Sequence, residues 1–171
     1  CDVMEGKTGA SNRRTRHDQD CPINETGGYL WSCNFAIRRE AFLHLGGFNE
    51  NFPVAAMEDV ELNYRINKSD LRLLFLSTAE VKHPWRMRKG RSFMRAKARS
   101  ISTYVGLYPE VAPMFYLSAM IQNLLRNQRQ TLMNCFVLRT VQGLARQVVL
   151  DIYGTFTTWQ TVKKTLPQTT C

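Results

Sequence analysis

An acidic pair, Glu58–Asp59, begins a segment whose composition predicts a short helix. A carboxylate at the start of a helix has a fixed backbone and a side chain that can face a cleft, so it can accept a proton from a hydroxyl group. The carboxylate of Asp59 could instead cap the helix by accepting a backbone N–H. His83 ends a predicted strand, the position from which active-site residues of α/β proteins project. On these residues alone the capping role of Asp59 is the favoured interpretation, and proton transfer is the chemistry that the pair could do instead.

A basic stretch follows His83 directly. The chain carries 23 Lys and Arg against 14 Asp and Glu, a net charge of +9. Eight of the basic residues and none of the acidic ones lie between Val81 and Pro109, so the rest of the chain is nearly neutral. A local excess of positive charge predicts an anionic partner, such as a phosphorylated small molecule, nucleic acid or an acidic membrane face.

The elements that must position these residues are of two kinds. Beyond Pro113 the apolar residues follow 3–4 spacing and predict two amphipathic helices joined near Arg126–Gln130. Strands with helices followed by helices alone predict an α/β core with a helical extension. Within the core, the pattern predicts a strand end at Cys1–Met4, a loop over Glu5–Gly28, a buried strand over Tyr29–Ile37, a helix over Arg38–Leu45, a helix between Met57 and Asp70, strands over Leu71–Leu76 and Ala79–Lys82, and a helix over Ser92–Tyr104.

Several classes of protein are excluded. The charge-free run Val111–Leu125 has 15 residues and contains Pro113, whereas a membrane-spanning helix needs roughly 20 apolar residues. The five cysteines form no CxxC pair, so we expect no structural zinc site. Nucleic-acid signatures and an apolar export signal are also lacking. We therefore expect a cytoplasmic protein, peripheral at the cytoplasmic membrane face where it touches lipid, with no specific nucleic-acid partner.

The order of motifs from Tyr29 to His83 resembles the C-terminal half of family 2 glycosyltransferases, which have the GT-A nucleotide-sugar fold. In that family an Asn precedes a helix with paired arginines, a Gly-Gly-Phe-acidic turn follows, an acidic pair begins the next helix, and a His comes two short strands later. The resemblance implies an α/β fold, with the C-terminal part of a GT-A domain over residues 1–109 and an amphipathic helical extension over 110–171. The matching positions are Asn34, Arg38–Arg39, Gly46–Phe48, Glu58–Asp59 and His83, with Asn49 where an Asp is common.

The resemblance implies inverting transfer of a sugar from a nucleotide-diphosphate sugar to an acceptor hydroxyl. Asp59 is then the general base, and Glu58 orients the acceptor. Trp31, on the predicted buried strand, either stacks on a sugar ring or packs in the core. Asn34 either bonds to the substrate or holds a local turn.

The basic stretch is expected to bind the diphosphate that leaves when the sugar is transferred. Arg86, Arg88 and Lys89 are expected to stabilise the charge that develops on the diphosphate. His83 is either a ligand of a divalent metal, Mn²⁺ or Mg²⁺, or a hydrogen-bonded histidine that closes its strand. The helical face Arg91–Arg99 either rests on anionic lipid, near a glycan or lipid-linked acceptor, or is simply solvated.

The main departure from the family concerns its metal-binding Asp-x-Asp motif. Asp18-Gln19-Asp20 matches the letters, but it lies in a polar loop with no apolar strand before it. We therefore expect the donor-binding half and the other metal ligands to lie in a missing N-terminal half, so that this chain is a fragment and inactive alone. Arg65 is expected to pair with Glu61 or Glu58. Two alternatives stay open: a non-catalytic basic module that binds nucleic acid or an anionic membrane, and an inactive remnant.

Overall fold

The computed structural model describes residues 1–166, a mixed α/β structure with a small sheet and several helices. These residues form two compact units. The sheet unit comprises Cys1–Arg13, Asp20–Asn51 and Ala56–Arg86, and the helical unit comprises Arg14–Gln19, Phe52–Ala55 and the chain from Met87 onward. The division expected from the sequence, into a catalytic part over 1–109 and a helical extension over 110–171, stays a prediction. The last five residues of that extension, 167–171, lie outside the described part.

The sheet unit is organised around its central strand. Its sheet consists of β1 (Val3–Ala10), β3 (Phe35–Ile37) and β4 (Leu73–His83), and β1 pairs antiparallel with β3 and parallel with β4. Two further strands of two residues each are β2 (Gln19–Asp20) and β5 (Arg86–Met87). Gly6 pairs with Leu76 but Lys7 pairs with Glu80, so Ser77–Ala79 bulge out of the ladder. Such a bulge redirects the second half of β4, which ends at His83.

The remaining regular structure of the described residues is helical. They are α1 (Arg39–His44), α2 (Glu58–Lys68), α3 (Arg91–Leu107), α4 (Leu117–Leu138) and α5 (Leu144–Val162), with a 3-10 helix at Pro109–Phe115. On α2, Leu62 and Ile66 are one turn apart, and both are buried against Val3 of β1 and Leu30. This apolar cluster attaches α2 to the sheet unit and so fixes where its first turn lies.

The helical unit packs α3 against α5 and joins α4 to α5 by a short connection. Gly143 precedes α5 with a φ of +78°, a conformation that favours glycine. A Cβ at Gly143 would also lie 2.0 Å from Asp18 Oδ1, so the position excludes any other residue without rearrangement. Among residues 1–166, no helix has the length and apolar composition needed to cross a bilayer.

Two strand predictions were wrong. Glu5 begins no loop, because β1 continues to Ala10 and tolerates its polar residues by hydrogen bonding them. The strand expected over Tyr29–Ile37 is reduced to β3, because the backbone turns sharply before it. Gly27, Gly28 and Leu30 have positive φ angles, which are incompatible with an extended strand.

The helix predictions were mostly confirmed. α1, α2 and α3 lie where the sequence predicted them, and the two strands expected over 71–82 form one bulged strand, β4. The joint expected at Arg126–Gln130 was wrong, because this polar segment consists of good helix formers and lies inside α4. The chain turns instead after Arg139, where φ is +52°, and resumes a helix after Gly143.

Candidate functional site

The acidic pair occupies the first turn of α2. The residue before it, Met57, has a left-handed backbone with φ of +83°, which is unusual for a residue with a side chain. Met57 is the N-cap, so Asp59 is the second residue of the helix, and it is buried. Its Oδ1 accepts the N–H of Val60 at 2.8 Å, which differs from the cap geometry considered for it. Strained backbone of this kind is concentrated at functional sites.

Glu58 is the less satisfied member of the pair. Its Oε2 is buried and has no hydrogen-bond partner within the described residues. Burial raises the pKa of Glu58, the neighbouring Asp59 charge adds to the rise, and the backbone N–H of Glu58 opposes it. A carboxyl group with a raised pKa next to a second carboxylate is a recognised feature of acid–base sites.

Arg65 connects α2 to the Gly46–Gly47 turn. Its guanidinium pairs with Glu61 at 2.7 Å, which confirms the predicted ion pair with that residue. The same guanidinium donates to the carbonyls of Leu45 at 2.5 Å and Gly47 at 2.7 Å. Two segments of the motif that are separate in sequence are thereby joined, and the first turn of α2 is held in a fixed position.

A second contact joins α2 to the loop that carries Trp31. Asn63 Nδ2 donates to the carbonyl of Gly28 at 3.1 Å. Asn63 follows Asp59 by one helical turn, so both lie on the same side of α2. The aromatic loop therefore lies next to the helix side that bears Asp59.

Trp31 lies in this loop and not on the strand expected for it. Its ring stacks on Tyr29, with centroids 5.6 Å apart and planes inclined by 6°. Its indole N–H donates to the carbonyl of Ile23 at 3.2 Å, which fixes the ring orientation. Trp31 is half-buried and Tyr29 is exposed, so the pair forms a partly exposed aromatic surface.

A buried glutamate that the sequence did not reveal holds the loop. Glu5 is 1% exposed and accepts hydrogen bonds from the Asn24 amide and from the backbone N–H groups of Gly28, Tyr29 and Leu30. Successive N–H groups that converge on one anion form a nest, and the positive φ angles of the loop make this possible. The signal available in the sequence was the GG pair that follows a polar segment.

Asn34 fills the β-bulge. Its Nδ2 donates to the carbonyl of Lys7 on β1 at 2.8 Å and to that of Ala79 on β4 at 2.9 Å. The backbone N–H of Gly6 donates to the Asn34 carbonyl at 3.0 Å. The amide hydrogens of Asn34 therefore hold the two strands together.

His83 ends β4 as expected. Its Nδ1 lies 2.9 Å from the carbonyl of Pro84, and since a carbonyl only accepts, Nδ1 carries the proton and the lone pair is on Nε2. This tautomer suits a metal ligand. No group of three or more metal-ligating side chains exists among residues 1–166.

The three residues predicted to bind diphosphate have different environments. In the sheet unit, Arg86 is exposed on β5. In the helical unit, Arg88 is largely buried and pairs with Asp151 at 2.5 Å. Lys89 is exposed, with its Nζ 4.1 Å from the centroid of the Phe93 ring. Arg88 thus already compensates one carboxylate, which the sequence did not indicate.

Asp18, the first residue of the Asp-x-Asp match, has a structural environment. It is fully buried and accepts from Arg16 at 2.9 Å and from Arg146 at 3.1 Å. The hydrogen bond from Arg16, with a further one from Arg146, lowers the pKa of Asp18 against the effect of burial. A carboxylate with two guanidinium partners is already neutralised, in keeping with the expectation that this motif is not the metal site.

The predicted lipid-facing helix also has internal contacts. On α3, Arg95 donates to the hydroxyl of Tyr153 at 3.0 Å, and the guanidinium of Arg91 lies 5.3 Å from the centroid of the same ring. The bond from Arg95 lowers the pKa of Tyr153. Lys97 and Arg99 are exposed. Part of the Arg91–Arg99 face is therefore engaged with α5 and part is open to solvent.

A cavity of about 230 Å³ lies inside the helical unit. Its walls are mostly apolar, from Ile101, Met120 and Leu124, with Lys97 and Asp151 among the polar groups. Of the residues that the sequence predicted for the site, Arg88 alone lines this cavity. The chemistry expected at Glu58–Asp59 thus belongs to the sheet unit and not to this cavity.

The chain was compared with protein-family models, with curated proteins and with solved structures, and none of the three comparisons gave a match.

Proposed function

We propose that this chain is the acceptor-side part of an inverting glycosyltransferase of the family 2 type, with Asp59 as the general base. The observation that supports this most directly is the construction around Glu58–Asp59. The pair begins α2 behind the strained backbone of Met57, and Arg65 ties the same helix to the Gly46–Gly47 turn. The arrangement fixes two adjacent carboxyl groups with different environments, which acid–base chemistry requires.

The proposed reaction moves a sugar from a nucleotide diphosphate to a hydroxyl group. The acceptor oxygen attacks the anomeric carbon from the face opposite the diphosphate, and its proton passes to the Asp59 carboxylate. The new glycosidic bond forms as the bond from the anomeric carbon to the diphosphate oxygen breaks, and the nucleoside diphosphate leaves with the electron pair. Attack from the opposite face inverts the anomeric configuration.

Glu58 positions the acceptor in this proposal. Its Oε2 is buried and has no hydrogen-bond partner among the described residues, so it can accept a hydrogen bond from an acceptor hydroxyl. The Tyr29–Trp31 pair offers a surface for the acceptor ring, and the Oδ1 of Asn34 can accept a hydrogen bond from the acceptor.

The basic residues and a metal serve the leaving group. Arg86 and Lys89 are exposed cations that can approach a diphosphate. Arg88 would have to break its ion pair with Asp151 before it could bind the diphosphate. His83 Nε2 would hold a divalent metal, Mn²⁺ or Mg²⁺, together with ligands from outside this chain, and such a metal supplies positive charge to the diphosphate. The donor is a nucleotide-diphosphate sugar, and the acceptor a glycan or a lipid-linked sugar.

The test is Asp59→Asn in the enzyme that contains this chain together with its donor-binding half. Transfer should fall by roughly 10³-fold or more, because the acceptor hydroxyl loses its proton acceptor. The affinity for the nucleotide sugar, measured by calorimetry, should be unchanged. Asp70→Asn, the same chemical change at an exposed carboxylate beyond the end of α2, is the matched control and should leave transfer intact. Equal loss of transfer and donor binding in Asp59→Asn would remove Asp59 from the role of base.

A peripheral contact with an anionic membrane at the cytoplasmic face is a second part of the proposal. It is supported by Lys97 and Arg99, which remain exposed on α3. Each basic residue near an anionic surface contributes about 1 kcal/mol of attraction at ordinary ionic strength.

A further inference from the structure

α4 exposes a row of large apolar side chains, which we call the α4 row. Phe136 is 82% exposed, Leu125 is 63% exposed and Leu132 is 61% exposed. The row repeats at helical intervals of four and seven residues, so its members share one side of the helix. It consists of Leu117, Ile121, Leu125, Leu132 and Phe136.

The neighbouring side of α4 is already in contact with its own unit. α4 packs against α5 and the 3-10 helix, with Thr131 buried and Leu124 and Leu138 half-buried there. A helix with one apolar side covered and a second one exposed needs a second apolar neighbour. An occupant of the α4 row must therefore present an apolar surface of its own.

The charges beside the row identify the kind of occupant. Arg129 lies within the row and Arg126 beside it, both exposed and, within residues 1–166, without an ion-pair partner. The sequence between Val111 and Leu150 contains no acidic residue. A second copy of this chain would bring the same arginines against these ones, and like charges repel. An anionic bilayer matches both features, because apolar side chains enter the acyl region while arginines extend to the phosphates.

We infer that α4 lies in the plane of an anionic membrane surface, with the α4 row inserted at the boundary between headgroups and acyl chains. This differs from the electrostatic contact proposed for α3, because it depends on burial of apolar side chains on another helix. It is also independent of the transfer chemistry, so failure of either proposal leaves the other unaffected.

The first experiment measures binding of the chain to vesicles of phosphatidylserine and phosphatidylcholine by sedimentation. The double variant Leu125→Gln/Leu132→Gln should bind about 10- to 100-fold more weakly, because two inserted side chains lose their transfer free energy without any change of charge. Leu43→Gln/Leu74→Gln, two exposed leucines of the sheet unit, is the matched control and should bind like the unaltered chain. Equal loss in both double variants, or no loss in the first, overturns the inference.

A second variant tests insertion without removing an apolar group. Phe136→Trp places a fluorescent indole in the α4 row. Lipids brominated near the headgroup should quench the emission of this variant more strongly than they quench the emission of the unaltered chain. Absence of extra quenching in bound protein overturns the inference.

Two further arms separate this inference from other occupants. Arg95→Glu/Arg99→Glu should weaken binding to the vesicles. When these changes are combined with Phe136→Trp, the protein that still binds should show the same quenching. If these reversals abolish binding and the leucine variants do not alter it, α3 alone makes the contact and the inference fails. A dimer in sedimentation equilibrium that Leu125→Gln/Leu132→Gln separates would assign the row to a second copy and overturn it as well.

Discussion

The two units satisfy their buried carboxyl groups in different ways. In the sheet unit, Glu5 is surrounded by neutral donors, an amide and three backbone N–H groups. In the helical unit, Asp18 and Asp151 are compensated by guanidinium groups from Arg16, Arg146 and Arg88. Dipoles arranged by the backbone depend on local loop geometry, whereas ion pairs depend on side chains from distant segments. The difference indicates that Glu5 specifies a loop conformation and that the aspartates join segments.

Glu58 follows neither pattern. One of its oxygens is buried without a partner among the described residues, and its pKa is raised where that of Asp18 is lowered. The buried carboxylates of Glu5, Asp18 and Asp151 all have hydrogen-bond or ion-pair partners. The contrast therefore supports a functional role for Glu58, where incomplete satisfaction has a use.

The largest effect should come from Glu5→Gln. In this variant an NH₂ group replaces one carboxylate oxygen and faces N–H groups that need an acceptor. We therefore expect a loss of about 3–5 kcal/mol in the free energy of unfolding. Urea denaturation measures it. Glu25→Gln, an exposed glutamate of the same loop, should change stability by less than about 0.5 kcal/mol. Similar values for the two variants would show that the N–H nest does not specify the loop.

The next largest effect concerns the ion pair in the helical unit. Arg88→Met should cost about 2–4 kcal/mol, because it leaves Asp151 buried with only the amides of Gln128 and Gln147. The double variant Arg88→Met/Asp151→Leu should recover about half of this or more, since it removes the uncompensated charge.

The control for this cycle is Arg99→Met, which changes an exposed arginine of α3 and should be nearly neutral. Thermal unfolding at one pH compares the unaltered chain, Arg88→Met, the single variant Asp151→Leu, the double variant and Arg99→Met. Costs that simply add in the double variant would mean that Arg88 does not compensate Asp151.

The smallest effect is the pH dependence that Glu58 contributes. Its pKa in the folded protein lies above the ordinary value of 4.5, so the folded state binds the proton more tightly than the unfolded state. Stability then falls as pH rises from about 4.5 to the raised pKa and is level beyond it. Glu58→Gln removes this loss and should stabilise the protein at neutral pH by less than about 1 kcal/mol, because water screens a half-exposed group.

The measurement is the difference in unfolding free energy between Glu58→Gln and the unaltered chain from pH 4 to pH 8. The difference should grow from about pH 4.5 up to the raised pKa of Glu58 and stay constant at higher pH. A decrease of the Glu58 difference with rising pH would contradict the sign derived from its burial.

The sequence predicted those parts of the fold whose causes are local. α2 was foreseen because its acidic start, helical spacing and basic end lie within one segment. The Arg65–Glu61 pair was foreseen because both residues are one helical turn apart. The strand end at His83 was foreseen because a proline follows it at once.

The remaining features depend on residues far apart in the chain. The loop at 27–30 takes positive φ angles because it wraps around Glu5, a partner 25 residues before Leu30. Arg146 reaches Asp18 across 128 residues, and no periodicity in either segment indicates this. Trp31 was assigned to a strand for the same reason, since its apolar neighbours predict extension unless the distant glutamate is known.

The β-bulge has a consequence for sequence variation and design. A Cβ at Gly6 would lie 2.4 Å from Asn34 Nδ2 and 2.5 Å from the Ala79 carbonyl, so no side chain fits there while Asn34 holds the two strands. Substitution at position 6 would therefore be tolerated only together with a smaller residue at position 34 and a shorter β4. A library that randomises either position alone should return the original pair, and one that randomises both together with Ser77–Ala79 could recover a straight ladder.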